Sequence, residues 1–203
     1  MYIRAHHQNT DFTKALELIK TLSFGVLIAN VKQRSWGVHL PFMVNTDQTL
    51  SSHMAKANPL AQEWLNEGLP KEVLCIFQGA GAYVSGSWYT QEEVSTYNYT
   101  ALHVYSRVTL CTTEQTLSDL NTLMYTHEFK QKRPKYMNDY SSETLRQVHG
   151  ILGFKLEVLD FYFAQKLSQE RTEDRSRVIE HLSQGEANEQ AVAKDMQQLN
   201  NPL

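Results

Sequence analysis

The alternation of apolar and polar positions along the chain predicts a strand-rich fold with helices between the strands. Period-two alternation and short apolar runs, typical of half-buried and fully buried strands, occur in six stretches. We predict strands over residues 24–30, 36–44, 49–54, 73–78, 96–110 and 151–163. Apolar residues three and four positions apart, with capping residues, predict helices over residues 11–22, 55–68, 114–129, 142–149, 176–184 and 187–199.

This order of elements favours an antiparallel barrel with peripheral helices, in the α+β class. The helices do not alternate regularly with the strands, and no strand-to-helix turn carries the glycine fingerprint of a doubly wound sheet. We expect one domain over residues 1–203, in which residues 174–203 form a helical extension packed on the barrel or on a dimer partner. Pro41 cannot donate a ladder hydrogen bond, so its strand is expected at a sheet edge or bulged there.

Composition places the chain among ordinary globular proteins. Of its 203 residues, 41% are hydrophobic and 10% aromatic, and no apolar run reaches the ~18 residues of a membrane span. The N-terminus lacks the hydrophobic region of a signal peptide, so we predict a cytoplasmic protein with no membrane partner. Cys75 and Cys111 lie in apolar runs without metal-binding spacing and are expected to be reduced core thiols.

The sequence contains no motif for covalent catalysis or for a metal centre. There is no G-x-S-x-G, no P-loop and no HExxH, so no catalytic residue is predicted. The eight histidines are dispersed. His6 and His7 are adjacent near the terminus and are expected at the surface rather than as ligands, so no metal is predicted.

Charge makes direct binding to DNA doubtful. The formal net charge is −3, whereas a DNA-binding protein usually carries a basic surplus. The basic cluster at residues 130–135 is expected to be a solvated loop. The two C-terminal helices superficially resemble a helix-turn-helix, but the second one carries Glu189 and Asp195 against the single Lys194, and acidic groups repel phosphates.

Residues 73–89 combine a buried strand with an unusual polar and aromatic ending. The stretch begins as an apolar strand and is expected to bend at Gly79 and Gly81. It ends in Trp88 and Tyr89 beside serine hydroxyls, among them Ser87. Such an ending fits either the wall of a site for a planar ligand or a well-packed aromatic corner. The residues alone do not choose between these alternatives.

The predicted strand over residues 96–110 has two different faces. One face is apolar and belongs to the core. The other presents an aromatic and basic row, which is unusual for the free surface of a monomer and is expected to meet a partner subunit or a ligand. That row consists of Tyr97, Tyr99, His103, Tyr105 and Arg107.

The segment from Ser51 to Pro59 is a candidate phosphate site. It places the hydroxyls of Ser51 and Ser52, the imidazole of His53 and the ammonium group of Lys56 where a strand runs into a helix. Free amides and the positive end of the helix dipole favour an anion at such a position. The alternative is an ordinary strand-to-helix junction with incidental polar residues.

Several motifs in this order and spacing resemble the PaiB-type family of FMN-binding negative transcriptional regulators, and the resemblance covers essentially the whole chain. The motifs are the MYI start, HxP (His39, Pro41), HxxKANP (His53 to Pro59), FQG…AYxSxSWY (Phe77 to Tyr89), TxNYxxxH (Thr96 to His103) and KLSQ (Lys166 to Gln169).

The resemblance implies a split β-barrel similar to pyridoxamine-phosphate oxidases, with FMN at a homodimer interface. It implies FMN contacts in the matched motifs and along the tyrosine row. The predicted cofactor-binding residues are Ser51, Ser52, His53, Lys56, Asn58, Gln78, Ser87, Trp88, Tyr89, Tyr97, Asn98, Tyr99, His103, Lys166, Ser168 and Gln169.

The chain departs from the family pattern at a few positions. The family has proline more often where this chain has Ala80, Gly86 and Ser95, so the loop between Gly79 and Tyr99 is expected to be looser. Glu170 stands where the family has asparagine, and its negative charge would weaken the binding of a nearby phosphate.

Two alternative functions remain open at the level of sequence. One is a flavin-dependent oxidoreductase of the same fold, which would use a small-molecule or nicotinamide reductant. The other is a haem-binding or cofactor-free module, with His53 or His103 as candidate axial ligands. The resemblance does not separate these alternatives from a regulator, because one fold hosts many functions.

Overall fold

Seven strands form the sheet within residues 1–199, the part of the chain that this computed structural model describes. Each predicted strand is present, and the strand that begins at Val73 continues to Val84 instead of ending at residue 78. A two-residue strand near the N-terminus was not predicted. The strands are β1 Gln8–Asn9, β2 Phe24–Val31, β3 Arg34–Val44, β4 Leu50–Ala55, β5 Val73–Val84, β6 Thr96–Leu110 and β7 Ile151–Lys166.

Six α-helices lie in the same part of the chain, and local sequence accounts for several of their ends. Asn58 caps the helix that begins at Pro59 by accepting a hydrogen bond from the Leu60 amide, and Thr112 forms a capping box with Gln115. The helices are α1 Phe12–Leu22, α2 Pro59–Glu67, α3 Thr113–Glu128, α4 Ser142–Leu145, α5 Arg175–Ser183 and α6 Ala187–Leu199.

No helix in the described part of the chain is both long and apolar enough to cross a membrane. The cytoplasmic location stays a prediction. The two cysteines are free thiols; Cys75 is fully buried, as predicted, whereas Cys111 is only half-buried.

The strands pair in the order β1-β7-β4-β3-β2-β5-β6, and a further pairing of β6 with β7 closes a ring of six strands. β1 is added outside this ring, on β7. The pairs β2–β3 and β4–β7 are antiparallel: Leu27 faces Val38 in the first pair, and Ser52 faces Phe154 in the second. The predicted antiparallel barrel with peripheral helices is confirmed, while the homodimer stays a prediction.

Of the two alternatives expected at Pro41, a sheet edge or a bulge, the sheet edge is wrong, because β3 has β2 on one side and β4 on the other. Proline is tolerated because the β3–β4 register begins only at Phe42. The carbonyl of Pro41 accepts a 2.7 Å hydrogen bond from the Ser52 hydroxyl, which substitutes for a ladder bond at this point.

The expected bend at Gly79 and Gly81 is also wrong, since β5 runs through both glycines. A Cβ atom at Gly79 would lie 3.1 Å from the Cβ and 3.2 Å from the backbone oxygen of Thr100. At Gly81 it would lie 3.2 Å from a ring carbon of Tyr97. The glycines therefore permit the close approach of β6 instead of turning the chain.

The chain divides into two compact units that alternate along the sequence. The first unit comprises Met1–Ala15, Phe77–His103 and the chain from Phe161 onwards; the second comprises Leu16–Ile76 and Val104–Asp160. In the second unit the rings of Trp64 and Phe154 meet edge to face, 5.2 Å apart. The single domain over residues 1–203 stays a prediction.

The first unit has a core built around its two C-terminal helices. Apolar residues of α5 and α6 pack against the end of β5, against Tyr89 and against Leu167. Arg175 is buried and donates hydrogen bonds to the carbonyl oxygens of Leu167 (2.6 Å) and Met196 (2.5 Å), which ties the helices to the turn after β7. Of the predicted extension over residues 174–203, residues 200–203 lie outside the described residues.

Candidate functional site

A cavity of about 340 Å³ lies in the first unit and combines aromatic, basic and hydroxyl side chains. Its volume falls in the range of small-molecule pockets. Five predicted cofactor-binding residues line it: Tyr89, Asn98, Tyr99, Lys166 and Ser168. The other lining residues are Tyr2, Ile3, Arg4, His7, Glu93, Val94, Thr96, Glu170 and Arg171.

Backbone pairing brings these distant parts of the chain together. β1 pairs with β7 so that Gln8 faces Ala164, which places the residues before Gln8 beside those after Ala164. β6 contributes its first residues, and Tyr89 follows a short 3-10 helix after β5. At Ser168 the backbone takes a φ of 56°, a turn that directs the chain past the cavity.

Two tyrosine rings supply the flat surfaces of this cavity. Tyr89 is buried, and the Arg171 guanidinium lies 6.0 Å from the centre of its ring. Burial raises the pKa of the Tyr89 phenol, and a hydrogen bond with the Ser168 side chain opposes that rise. Tyr99 is half-buried and offers a second ring. The rings provide the kind of wall that a planar ligand needs.

The charged side chains of the cavity are three cations and two carboxylates. Arg171 forms a salt bridge with Glu93, and Lys166 donates a hydrogen bond to the Thr96 hydroxyl. Arg4 is exposed at the cavity. Since cations outnumber carboxylates, the lining favours a ligand that carries negative charge.

The expectation that His7 lies at the surface is wrong. His7 is only 6% exposed, and its Nε2 lies 3.2 Å from the Oε2 atom of Glu170. Burial lowers the pKa of His7, against the raising effect of its bond to Glu170. For Glu170, burial acts to raise the pKa, but hydrogen bonds from its own backbone and from His7 lower it overall.

Asn98 and Ser168 form a fully buried polar pair at the cavity wall. The Asn98 amide donates a 2.9 Å hydrogen bond to the Ser168 hydroxyl. Such a pair fixes the beginning of β6 against the turn after β7. These two predicted residues therefore hold the cavity wall in place.

Trp88 does not line this cavity. Its ring stacks on His181 with the centres 4.7 Å apart and the planes 9° apart, and it packs against the C-terminal helix core. Of the two alternatives for residues 73–89, Trp88 thus forms the aromatic corner, while Tyr89 forms part of a cavity wall. The cofactor contact of Trp88 stays a prediction.

The remaining predicted residues of the first unit lie outside the cavity lining. Ser87 is exposed and bonds the Ser85 hydroxyl at 2.9 Å, and the exposed Gln78 bonds the Thr100 carbonyl at 3.3 Å. Gln169 accepts a hydrogen bond from the Leu167 amide within its own turn. Two others belong to the predicted row on β6: the largely exposed Tyr97 and the half-buried His103.

The predicted phosphate segment lies in the second unit, where most of its polar groups already have partners. The Ser51 hydroxyl exchanges hydrogen bonds with the Asn45 amide, with a shortest distance of 2.9 Å. Ser52 donates to the Pro41 carbonyl, and Asn58 accepts from the Leu60 amide at the start of α2. The start of this helix is therefore capped by the chain itself.

His53 and Lys56 lie in the same segment but in different surroundings. His53 is half-buried beside a space of only about 10 Å³, and burial lowers the pKa of His53 against an opposing effect of Asp119. Lys56 is exposed and lines a different cavity of about 240 Å³ with Cys111 and His149. The phosphate assignment to this segment stays a prediction.

The sequence did not point to Arg4, His7, Glu93 or Arg171 as lining residues. The only available signals were the MYI start, which directly precedes Arg4, and the KLSQ motif, which lies two positions before Arg171; Glu93 lies near neither. More than 150 positions separate His7 from Glu170, so their contact follows from the β1–β7 pairing and not from spacing.

The fold is that of flavin-binding barrel structures. The chain is similar to the structure of the FAD and heme binding protein from Mycobacterium smegmatis, with a TM-score of 0.60 and 13% identity over 79% of this chain and 73% of that one. It is also similar to the flavocytochrome Anf3 from Azotobacter vinelandii, with a TM-score of 0.56 and 11% identity over 81% and 72% of the two chains. At these identities the likeness concerns the fold alone.

Sequence comparison then defines the family. Residues 1–160 match the family described as "Putative FMN-binding domain", and the chain belongs to this family. It is 32% identical over 191 residues to the protease synthase and sporulation protein PAI 2 of Bacillus subtilis, which covers 92% of this chain and 91% of the relative. The PaiB-type resemblance and the flavin cofactor predicted from it are confirmed at the level of the family.

Proposed function

We propose that this chain is an FMN-binding, regulator-like protein that works as a homodimer and holds FMN at the subunit interface. We place the flavin at the cavity of the first unit. The observation that carries this proposal is the combination of two tyrosine rings with a surplus of cations around a space of about 340 Å³. When bound, FMN supplies redox chemistry that amino acid side chains lack.

The lining residues fit the two ends of FMN. Tyr89 and Tyr99 offer ring faces to the isoalloxazine, and Arg4 and Lys166 offer positive charge to the phosphate. Glu170 is directed to His7, at 3.2 Å, so its charge is partly compensated within the protein. The departure from the family at this position is therefore compatible with flavin binding.

The regulatory part of the proposal does not require this chain to bind DNA. The residues of α6 that pack inward are Val192, Ala193 and Met196, so the helix serves the core of the first unit. Its polar positions include Glu189 and Asp195, which disfavour a phosphate backbone. We infer that the chain regulates through its flavin state or through a partner protein.

The test is a comparison of FMN retention by matched variants. The purified chain, incubated with FMN and desalted, is expected to keep a flavin absorption spectrum and to have twice the mass of one chain in light scattering. The double variant Arg4→Ala with Lys166→Ala is expected to weaken FMN binding by at least about 100-fold, since it removes two charge-assisted contacts of roughly 1.5–3 kcal/mol each. The control pair, His53→Ala with Lys56→Ala, is expected to leave affinity unchanged.

Each of the other outcomes contradicts a specific part of the proposal. A colourless wild-type sample contradicts FMN binding itself. Loss of FMN in the control pair alone moves the phosphate to the segment from Ser51 to Pro59 and overturns the cavity assignment. Riboflavin, which lacks the phosphate, is expected to bind wild type and the Arg4–Lys166 variant equally, so a difference between them would indicate a general disturbance of the cavity.

A further inference from the structure

Three potential metal ligands lie close together in the first unit: His6, His7 and Glu170, the last two of which line the cavity. The Nε2 atom of His7 lies 3.2 Å and that of His6 3.8 Å from the same oxygen, Oε2 of Glu170. One ligand atom from each residue lies within 4.8 Å of the others. The cluster thus brings two imidazole nitrogens and a carboxylate oxygen to one point.

The backbone fixes this arrangement. A short 3-10 helix, Ala5–His7, places the two imidazole rings 4.1 Å apart at an angle of 73°. The pairing of Gln8 with Ala164 sets this helix beside the chain that follows β7. The turn at Ser168, closed by a hydrogen bond from the Leu167 amide to the Gln169 side chain, then delivers Glu170.

We propose that His6, His7 and Glu170 form a binding site for a divalent transition-metal ion such as Zn²⁺ or Co²⁺. Imidazole nitrogen suits these borderline ions, whereas Mg²⁺ and Ca²⁺ prefer sites made of oxygen alone. Bonds of 2.0–2.1 Å in a tetrahedron separate the ligands by about 3.3 Å. The His7–Glu170 separation of 3.2 Å matches this value, whereas the His6–Glu170 separation is 3.8 Å and the three ligand atoms lie within 4.8 Å of one another. The side chains of His6 and Glu170 are 46% and 37% exposed, so small rotations can close the remaining gap.

A plain salt bridge explains the cluster less well. Only the His7 contact, at 3.2 Å, has the length of a hydrogen bond, yet the imidazole of the adjacent His6 also lies 3.8 Å from the same oxygen atom. Two cationic imidazoles in contact would repel each other, whereas two neutral ones can both bind a metal. The same donor set leaves coordination positions open.

The open positions belong to a cavity that suits an anion. His7 and Glu170 are lining residues, and Arg4 and Lys166 lie around the same space. These cations disfavour a bare dication but favour a small anion, a carboxylate or a phosphate, as the additional ligand of the metal. The site therefore takes the metal together with water or such an anion.

The experiment titrates the full chain, without affinity tag, metal-stripped and flavin-free, with Co²⁺, and then displaces Co²⁺ with Zn²⁺. One equivalent is expected to give the visible absorption bands of bound Co²⁺. His6→Gln and Glu170→Gln are each expected to lower affinity at least 10-fold, and the double variant is expected to bind no metal. The control variants His149→Gln and Glu173→Gln, which change the same residue types elsewhere, are expected to behave as wild type.

Circular dichroism of each variant separates loss of the ligands from loss of the fold. A wild-type chain that binds no Co²⁺ overturns the proposal, and so does a folded double variant that binds as wild type. Because the titration contains no flavin, its result is independent of the FMN assignment. Excess Mg²⁺ is expected to leave Co²⁺ bound; its displacement by Mg²⁺ would contradict a nitrogen-rich site.

Discussion

The predicted phosphate segment of the second unit and the cavity of the first unit differ in the space around their polar residues. In the second unit, Ser51, Ser52 and Asn58 are bonded to nearby groups at 2.7–2.9 Å. Ser51 and Ser52 lie beside a space of about 10 Å³ that holds no more than a water molecule. In the first unit, Arg4 and Lys166 line a cavity of about 340 Å³. A polar residue becomes available to a ligand only where the fold leaves it room.

The hydrogen-bonded residues of the two units also differ in how far apart they lie along the chain. Asn45 and Ser51 are six positions apart, so local structure alone can satisfy them. The side-chain contacts between cavity-lining residues of the first unit join residues that are 70 or more positions apart, such as Asn98 with Ser168. The cavity therefore depends on tertiary structure, which makes it the more sensitive of the two regions to substitution.

The largest effect on stability is expected for Arg175→Met, which removes the hydrogen bonds that tie the C-terminal helices to the turn after β7 in the first unit. The substitution leaves the buried carbonyl groups of Leu167 and Met196 without their donor. We expect a loss of about 3 kcal/mol in the free energy of unfolding, measured by urea denaturation. Burial disfavours the charged guanidinium and so lowers the pKa of Arg175. Methionine does not have this cost of burying a charge, which offsets part of the loss.

Arg177→Met is the matched control, because Arg177 is on the same helix but half-exposed, in a 3.9 Å ion pair with Asp174. Such pairs contribute about 0–1 kcal/mol. Equal stability of the two variants would show that the Arg175 contacts do not hold the C-terminal helices in place.

A smaller effect is expected for Gly79→Ala, which tests the close approach of β6 in the first unit. The new methyl group would press on the backbone oxygen of Thr100, and that residue is held by a 3.3 Å hydrogen bond to Asp195. We expect a loss of roughly 1–3 kcal/mol in the free energy of unfolding, as for other overpacked sites.

Gly37→Ala provides the comparison in the second unit. Its methyl group would meet only the Val26 side chain, at 3.4 Å, which is an ordinary contact. Alanine also restricts the unfolded chain, so this variant is expected to be neutral or slightly stabilised. If both glycine variants lose equal stability, the close-approach explanation for Gly79 is wrong.

Much of the fold could be predicted from the sequence because its signals are local. The strand from Thr96 to Leu110 has the predicted bounds, and period-two alternation determines which of its faces is buried. The prediction of a bend at Gly79 failed because a glycine in a strand has two possible causes. Only the position of Thr100 in space distinguishes a turn from a close approach.

The candidate site was predictable only in part, because local sequence signals do not show which distant residues come into contact. Tyr89, Asn98, Tyr99, Lys166 and Ser168 lie in motifs and were found. The burial of His7 and its contact with Glu170 were missed, because a dipeptide near the terminus carries no sign of its later contact with residue 170. Pairing of β1 with β7 creates that contact, and a two-residue strand leaves almost no pattern in the sequence.

The smallest effect is expected from a change of pH acting on His53, in the second unit. The ordinary pKa of 6.5 applies to the unfolded chain, and burial lowers the pKa of His53 in the folded chain. The unfolded state therefore binds more protons, so the contribution of His53 to stability is complete above pH 6.5 and is lost as pH falls through the folded pKa. Between pH 7.5 and pH 5.5 we expect the free energy of unfolding to fall less for His53→Gln than for wild type. The control His127→Gln, at an exposed position, is expected to lose as much as wild type.

A second substitution makes this test specific to the surroundings of His53. Asp119 acts to raise the pKa of His53 and so limits the loss in acid. Asp119→Asn is therefore expected to steepen the fall in unfolding free energy between the same two pH values, in the opposite direction to His53→Gln. Glu170 lies 3.2 Å from His7 in the first unit, whereas Asp119 acts on His53 through charge alone, so the change on removing Asp119 is expected to be small. Parallel slopes for wild type and Asp119→Asn would place the acid sensitivity elsewhere in the chain.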